Sequence, residues 1–302
     1  MRGLPVAVLC ALAACAPRLG RGEPSRTRSV TVEGTTVRVE YLPEDEESSR
    51  QVAEALAVAV PRAQRWGALR VPVTITLHPS HEALEIAVHR AGYRWLRAWA
   101  RFASVDLQSP RTWSKRTRWP WTWFVRGPGQ RQIQELLTHE LTHCAMYQAA
   151  ANEWSWAYQG VPLWFREGMA SVTAGQGYRR AGPEAIRRFY AMRRRSAGEG
   201  VGGDGTGGDG GGGRARPQAR GDPLSDPEPL YQSQADVVYD TAHLAFQFLL
   251  ARYGEDRVRG VLRTMSEGRL FRAAFEAVMG IPVEAFEADF RRYIVWRGWK
   301  GR

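Results

Sequence analysis

The segment His139-Glu140-Leu141-Thr142-His143 carries the side chains best suited to chemistry in this chain. Two histidines four residues apart lie on one face of an α-helix, about one turn apart, so both imidazoles can bind one metal ion. The glutamate beside the first histidine is placed to accept a proton from a zinc-activated water molecule. This spacing predicts a zinc site with His139 and His143 as ligands and Glu140 as the general base.

A long helix must position these residues. Residues 130–151 contain neither Pro nor Gly, and Leu136, Leu137 and Leu141 place apolar side chains beside the motif. Such neighbours are expected for a helix buried at the centre of a domain. With six histidines in 302 residues, an accidental match to this motif arises on the order of once in a hundred such chains. The sequence context therefore favours a real site.

Two histidines leave a zinc site one protein ligand short. The segment Trp164-Phe165-Arg166-Glu167-Gly168 offers Glu167 as the candidate. A His-Glu-x-x-His motif followed by Leu-Trp-x-x-Glu-Gly resembles the gluzincin, or peptidase MA-like, zinc metallopeptidases, here in a bacterial lipoprotein form. The resemblance implies that Glu167 completes a His-His-Glu site for one zinc ion and that the fourth position is left to water.

The resemblance covers roughly residues 30–296, and only the zinc segment is strongly specific. It implies an α+β fold, a zincin-like metallopeptidase domain. We expect an N-terminal mixed sheet with helices, a central His-Glu-x-x-His helix and a helical C-terminal part. The chain lacks the Gly-x-Met-Glu-Asn exopeptidase sequence and the Asn-Glu-x-x-Ser-Asp form of thermolysin-like enzymes. The resemblance therefore does not extend to the substrate.

A peptidase also needs a donor for the oxyanion that develops on the scissile carbonyl. Tyr239 and His243, four residues apart on a predicted helix, are the candidates. The resemblance favours Tyr239, because gluzincins often use a tyrosine from a downstream helix. In an equally weighted alternative, Tyr239 is a core residue and His243 is hydrogen-bonded to the backbone. Trp121–Val125 is a candidate edge strand for pairing with substrate backbone, with an aromatic core segment as the favoured alternative.

The N-terminus has the pattern of an export signal. Residues 1–14 contain Arg2 and then a short apolar run, and residues 12–15 resemble the bacterial lipobox. That resemblance implies cleavage before Cys15 and lipidation of this cysteine; a plain signal peptide cut near Ala16 is the alternative. We expect a protein anchored by lipid in the bacterial cell envelope, at the outer membrane or cell surface, and otherwise periplasmic or secreted.

The rest of the chain divides by composition. Residues 15–29 are polar and contain two prolines, which predicts a tether between anchor and domain. The domain is assigned to residues 30–296, and residues 297–302 form a basic tail. Eleven glycines within residues 198–213 predict a disordered Gly-rich loop at 198–220.

Hydrophobic periodicity predicts the first elements of the domain. Residues 30–41 and 71–77 alternate as strands do, with Gly34 marking a possible turn, and a helix capped by Ser48 or Ser49 runs to Trp66. After the Gly-rich loop, residues 239–253, 258–265, 270–279 and 283–296 have the patterns of successive helices. Strands and helices followed by helices alone indicate an α+β architecture.

The charge is strongly positive, with 42 basic against 31 acidic residues and a net charge of +11. No zinc finger, helix-turn-helix or RNA-binding pattern accompanies this charge, so no nucleic acid partner is expected. A solvated basic face is the favoured interpretation, and attraction to an anionic cell-envelope polymer is the alternative.

With Cys10 removed and Cys15 lipidated, Cys144 is left alone; it is predicted to face away from the metal. His78, His81 and His89 are predicted to be surface or capping residues.

Two classes of function follow from these patterns. The first is an extracytoplasmic zinc peptidase that acts on a peptide or protein substrate. The second is a catalytically inactive zinc-binding surface lipoprotein that serves as a binding or scaffold module. A hydrolase associated with peptidoglycan or a surface polymer is a third possibility. The presence of Glu140 favours an enzyme, because a purely structural zinc site has no use for a base.

Overall fold

A computed structural model describes residues 25–113, 129–177, 181–198 and 221–297. It confirms the α+β class: a five-stranded mixed sheet with helices comes first, and helices alone follow. The strands are β1 (Arg26–Val32), β2 (Thr35–Tyr41), β3 (Val73–His78), β4 (Ala98–Ala100) and β5 (Ser104–Gln108).

The strand order in the sheet is β1-β2-β3-β5-β4. The β1–β2 and β4–β5 pairs are antiparallel, whereas β2, β3 and β5 run parallel to one another. A turn at Glu33 and Gly34, both with positive φ, divides the predicted strand at residues 30–41 into the β1–β2 hairpin. The strand β1 begins at Arg26, so the last four residues of the proposed tether lie in the sheet.

Eight helices are described along the chain. Their bounds are α1 (Glu46–Ala63), α2 (His81–Val88), α3 (Gln130–Ala150), α4 (Leu163–Ala174), α5 (Gly182–Gly198), α6 (Tyr231–Ser266), α7 (Phe271–Met279) and α8 (Val283–Arg297). The helix α3 agrees closely with the helix predicted to carry the motif. Non-helical dihedrals at Gly254 interrupt α6, where the sequence predicted a boundary between two helices. The helix α5 was not predicted.

The predicted cap of α1 was wrong. The helix begins at Glu46, and both Ser48 and Ser49 lie buried inside its first turns. A 3₁₀ turn at Pro43–Asp45 leads directly into the helix, and the acidic first turn complements the positive N-terminal end of the helix dipole. The hydroxyl of Ser49 donates to the carbonyl oxygen of Glu46 at 2.7 Å and does not cap a free backbone N–H.

The described core has two main parts, and α3 contributes to both of them. One part lies between the sheet, α1 and the first half of α3, where Leu137 and Leu141 are fully buried. The other part lies among the later helices and includes Met146 from the second half of α3 together with Trp164 and Phe165 from α4. The His-Glu-x-x-His segment therefore lies in the stretch of α3 that packs with the sheet, just before α3 enters the other part of the core at Met146.

A buried polar pair links the two central parallel strands. His78 at the end of β3 is 4% exposed, and its Nε2 lies 2.8 Å from Oδ1 of Asp106 on β5. Arg101 forms an ion pair with the second oxygen of Asp106. Burial raises the pKa of Asp106, but the contacts with His78 and Arg101 outweigh it, so this pKa lies below its ordinary value. The prediction of a surface or capping role was therefore wrong for His78.

Several sequence predictions concern residues outside those described. These are the signal peptide at 1–14, lipidation of Cys15, the edge strand Trp121–Val125, the loop at 198–220 beyond Gly198, and the tail beyond Arg297. In the described ranges, no helix combines the length and apolar character that crossing a membrane requires.

Candidate metal centre

The helices α3 and α4 bring together the three predicted metal ligands. Nε2 of His139 and Nε2 of His143 are 3.2 Å apart. Oε2 of Glu167 lies 3.3 Å from Nε2 of His139 and 3.6 Å from Nε2 of His143. The histidines are 5% and 6% exposed, and the glutamate side chain is 14% exposed. Among the described residues, this is the cluster whose donor atoms converge as metal ligands do.

The three donor atoms fit a zinc ion. Two ligands held about 2.0–2.1 Å from a tetrahedral zinc are separated by roughly 3.3 Å, and the three separations observed here lie between 3.2 and 3.6 Å. Two imidazole nitrogens and one carboxylate oxygen form a ligand set that catalytic zinc sites use. The donor set and its spacing therefore match what zinc requires.

A residue that the sequence analysis missed orients the first histidine. Oε1 of Gln176, just beyond the end of α4, lies 3.0 Å from Nδ1 of His139. Because an amide oxygen only accepts hydrogen bonds, Nδ1 of His139 carries the proton. The lone pair of Nε2 is then free to face the other two ligands. Hydrogen bonds of this kind fix the tautomer and ring orientation of metal-binding histidines.

Arg166 lies against the glutamate ligand. Its Nε is 3.7 Å from Oε1 of Glu167, whereas Oε2 faces the two histidines. Burial raises the pKa of Glu167, but the charges of His143 and His139 and their hydrogen bonds outweigh it, so this pKa lies well below its ordinary value. The carboxylate is therefore ionised, as a metal ligand must be. Its Oε2 faces the histidines and its Oε1 faces Arg166.

A close helix crossing sets the position of Glu167. A Cβ built on the next residue, Gly168, would lie 2.3 Å from the carbonyl oxygen of Ala242 and 2.5 Å from Cβ of Phe246, both on α6. Only glycine permits the backbones of α4 and α6 to approach so closely. The Gly in the Glu-Gly pair thus has a packing role, which explains why it follows the ligand directly.

A cavity of about 310 Å³ opens beside the three ligands, and Glu140 lines it together with them. Its size falls within the range of about 300–1,000 Å³ that ligand pockets occupy. Cys144 lies on the other side of α3, where it is fully buried and its thiol donates to the carbonyl oxygen of Arg101 at 3.2 Å. Burial raises the pKa of this thiol strongly, and its position agrees with the prediction that Cys144 faces away from the metal.

The structure places the two candidate oxyanion donors differently. Tyr239 lines the cavity, where its ring lies edge-on to Trp95 with centroids 5.3 Å apart. His243 is 5% exposed, and its Nδ1 is 3.0 Å from the hydroxyl of Ser171 on α4. Burial lowers the pKa of His243, with a smaller opposing effect from Asp240. The geometry therefore favours Tyr239 over His243 for contact with a ligand.

Aromatic side chains and the last strand of the sheet form the other walls of the cavity. Tyr147, two turns beyond His139 on α3, stacks against His143 with centroids 6.1 Å apart, and its burial raises its pKa to about 12. Its position four residues after His143 is a signal that the sequence analysis missed. The residues of β4 also line the cavity, and β4 is the outermost strand on its side of the described sheet.

Comparisons with known proteins gave matches among solved structures only. No protein-family model matches the chain, and no curated protein matches it. Three similar solved structures are a two-domain M1 zinc metallopeptidase mutant bound to L-tryptophan, an M1 zinc metallopeptidase mutant from Deinococcus radiodurans, and a mutant from the same organism bound to a Tyr-Ser-Ala substrate.

The TM-scores of these structures are 0.37, 0.38 and 0.36, with 13%, 14% and 14% sequence identity. Each match covers 92% of this chain. The chain spans about half the length of these structures, 52% to 53%.

Proposed function

We propose that this protein is an extracytoplasmic zinc-dependent peptidase that hydrolyses peptide bonds. The observation that carries the proposal is the convergence of His139, His143 and Glu167, whose donor atoms lie within 4.8 Å of one another on the wall of a cavity. Glu140 lines the same cavity. A structural zinc site is normally closed by four protein ligands, whereas a catalytic site has three and an open position.

His139, His143 and Glu167 would hold a zinc ion, which would supply a Lewis acid to polarise the carbonyl group and to make water acidic near neutral pH. The carboxylate of Glu140 accepts a proton from the attacking water and passes it to the leaving amine. The bond between the water oxygen and the carbonyl carbon forms, and the carbon–nitrogen bond then breaks. The hydroxyl of Tyr239 donates a hydrogen bond to the oxyanion, while Gln176 and Arg166 hold the ligands in place.

The alternative is a catalytically inactive zinc-binding surface lipoprotein that acts as a binding or scaffold module. Under this alternative the three ligands hold zinc and the cavity binds a partner without cleaving it. The presence of Glu140 on the cavity wall speaks against it, because such a module needs no base beside the open position.

The deciding experiment compares the parent protein with Glu140→Ala. Both proteins are loaded with zinc, their metal content is measured, and both are incubated with a broad peptide library. We expect equal zinc, about one ion per chain, and a loss of cleavage of at least about 100-fold in the variant, since a general base contributes about 10²–10⁴-fold. Zinc in both proteins and cleavage by neither would support the scaffold. Failure of the parent to bind zinc would refute the ligand assignment.

We also propose export and lipid anchoring through Cys15, supported by the lipobox-like sequence at residues 12–15. Attraction of the net charge of +11 to an anionic cell-envelope polymer is the alternative to a solvated basic face. Mass analysis of the N-terminal peptide is expected to show a lipid adduct that Cys15→Ser lacks. An unmodified peptide beginning after residue 16 would instead support a plain signal peptide.

A further inference from the structure

Three arginines line the cavity beside the metal ligands, and their surroundings differ. Arg90 is exposed and lies over the ring of Trp99, with its Cζ 5.1 Å from the ring centroid. Arg166 lies beside the carboxylate of Glu167. The third, Arg97, immediately precedes the edge strand β4 and is half-buried. Of these three arginines, Arg97 is the half-buried one whose described contact is with a neutral side chain and not with a carboxylate.

The side chain of Arg97 contacts an amide. Its Nη1 donates to Oε1 of Gln108 at 2.6 Å, and within the described ranges no carboxylate lies within ion-pair distance of Arg97. Burial lowers the pKa of Arg97, yet a guanidinium stays protonated in proteins. A positive charge is thus held partly out of water, and the neighbouring groups that are described do not neutralise it.

The amide that contacts Arg97 is itself fixed. Gln108 is 3% exposed, and its Nε2 donates to Oγ1 of Thr112 at 3.1 Å. Because both ends of this amide are assigned by its contacts, its oxygen faces Arg97 and holds the guanidinium in one orientation. The backbone adds a second tie, since the N–H of Gln108 donates to the carbonyl oxygen of Arg97 at 2.9 Å. A guanidinium has five N–H donors, so several are available to a ligand.

We propose that Arg97 is a specificity-determining residue that binds a carboxylate of the peptide substrate. This inference rests on the proposed peptidase function and names the class of substrate: peptides with an acidic group close to the scissile bond. The carboxylate comes either from an aspartate or glutamate side chain or from the free C-terminus of the peptide. Arginine and carboxylate pair through two parallel hydrogen bonds, which gives geometric selectivity as well as attraction.

The other charges of the cavity agree with this assignment. Two of the glutamates on its wall, Glu140 and Glu167, belong to the proposed catalytic centre, and the third, Glu228, is exposed. Once zinc offsets the ligand carboxylate, Arg97 and Arg90 leave the part of the cavity beside β4 positive. A substrate that pairs with the edge of β4 brings its own side chains next to Arg97, because this residue directly precedes the strand.

Binding is tested with the full chain carrying Glu140→Gln and loaded with zinc, so that no probe is consumed. The probes are three alanine pentapeptides: one blocked at both ends with a central aspartate, its asparagine counterpart, and one without acidic side chains but with a free C-terminus. Dissociation constants are measured by tryptophan fluorescence, because Trp95 and Trp99 line the cavity. We expect at least one carboxylate peptide to bind about 10- to 100-fold more tightly than the asparagine peptide.

Adding Arg97→Gln is expected to abolish this preference and to leave binding of the asparagine peptide within about 3-fold. The matched control is Arg94→Gln, which removes an exposed arginine that does not line the cavity and is expected to retain the preference. If the glutamine variant fails to fold, Arg97→Lys is used; its single ammonium is expected to bind but to discriminate less. If the aspartate peptide loses affinity in the Arg97 variant, the bound carboxylate is that of a side chain. If the peptide with a free C-terminus loses affinity, it is the terminal carboxylate.

The outcomes separate this inference from the proposed function. Equal binding of all three probes, no binding of any probe, or an equal loss for all three in the Arg97 variant overturns the role of Arg97. Cleavage of neutral and acidic peptides alike by the zinc-loaded parent overturns it too, while the peptidase proposal stands. Absence of cleavage with a retained carboxylate preference refutes the peptidase proposal and supports Arg97 as a binding residue.

Discussion

Replacing Gly168 with alanine tests whether the α4–α6 crossing positions the glutamate ligand. The added Cβ would lie 2.3 Å from the carbonyl oxygen of Ala242 and 2.5 Å from Cβ of Phe246, about 1 Å inside ordinary contact distance. Neither atom can rotate away, because one belongs to the backbone and the other is fixed to it. The helices must therefore move apart, and Glu167 moves with α4.

The expected cost follows from two opposing effects. Overpacking a core costs about 1–3 kcal/mol, and we expect the upper end because the contacted atoms are rigid. Alanine is favoured over glycine in a helix by about 1 kcal/mol, which offsets part of this loss. The net loss is about 2 kcal/mol, which corresponds to a fall in Tm of about 4–8 °C for a domain of this size. Displacement of Glu167 is expected to weaken zinc binding by about 10-fold.

Thermal unfolding of the zinc-free protein and competition with a zinc chelator measure the two effects separately. The matched control is Gly260→Ala, which makes the same change inside α6 where the nearest atom, 3.2 Å away, is a side-chain methyl group of Val278. We expect this control to change Tm by less than about 3 °C. Unchanged Tm and zinc affinity in Gly168→Ala would refute the argument that the helix crossing sets the ligand position.

Two further predictions concern polar contacts. Gln176→Ala is expected to lower zinc affinity by about 10- to 100-fold, because His139 loses the acceptor that fixes its tautomer; chelator competition measures this, and an affinity equal to that of Gln51→Ala on α1 would contradict it. Asp106→Asn is expected to lower the free energy of unfolding by about 2 kcal/mol at pH 7. The lowered pKa of Asp106 means that its contribution is present above its ordinary value of 3.8 and is lost as the pH falls through the folded-state value. The difference between parent and variant in urea unfolding should therefore shrink as the pH falls below 3.8, and a difference independent of pH would contradict the assignment.

The parts of the structure that local sequence patterns determine were predicted well. The helix α3 and the strand β3 have nearly the predicted bounds, because an uninterrupted run of helix formers and a short alternating segment each identify one structure. The interruption of α6 at Gly254 was also predicted, because glycine readily adopts the positive φ of 77° found there. The relation between His139 and His143 followed from helix geometry alone.

The parts that were missed depend on contacts between distant segments. Gln176 contacts His139 across 37 positions of the chain, and Gln108 contacts Arg97 from a neighbouring strand. Neither glutamine belongs to a motif, so no local pattern predicts its role. His78 was assigned to the surface because its partner Asp106 lies 28 residues away. The convergence of Glu167 with the two histidines, in contrast, was predicted by resemblance to a family.

The location of the metal ligands has a consequence for how the protein unfolds. The two histidines lie on the stretch of α3 that packs with the sheet layer, and Glu167 lies on α4 within the helical part. An ion held by all three is a crosslink between the sheet layer and the helical layer. Neither layer can then separate from the other without releasing the ion, so zinc binding stabilises both layers together against unfolding. Free zinc at 100 times its Kd adds about 2.7 kcal/mol to the free energy of unfolding. With an ion bound, the donor atoms of His139, His143 and Glu167 thus join two hydrophobic layers into one unit that unfolds cooperatively.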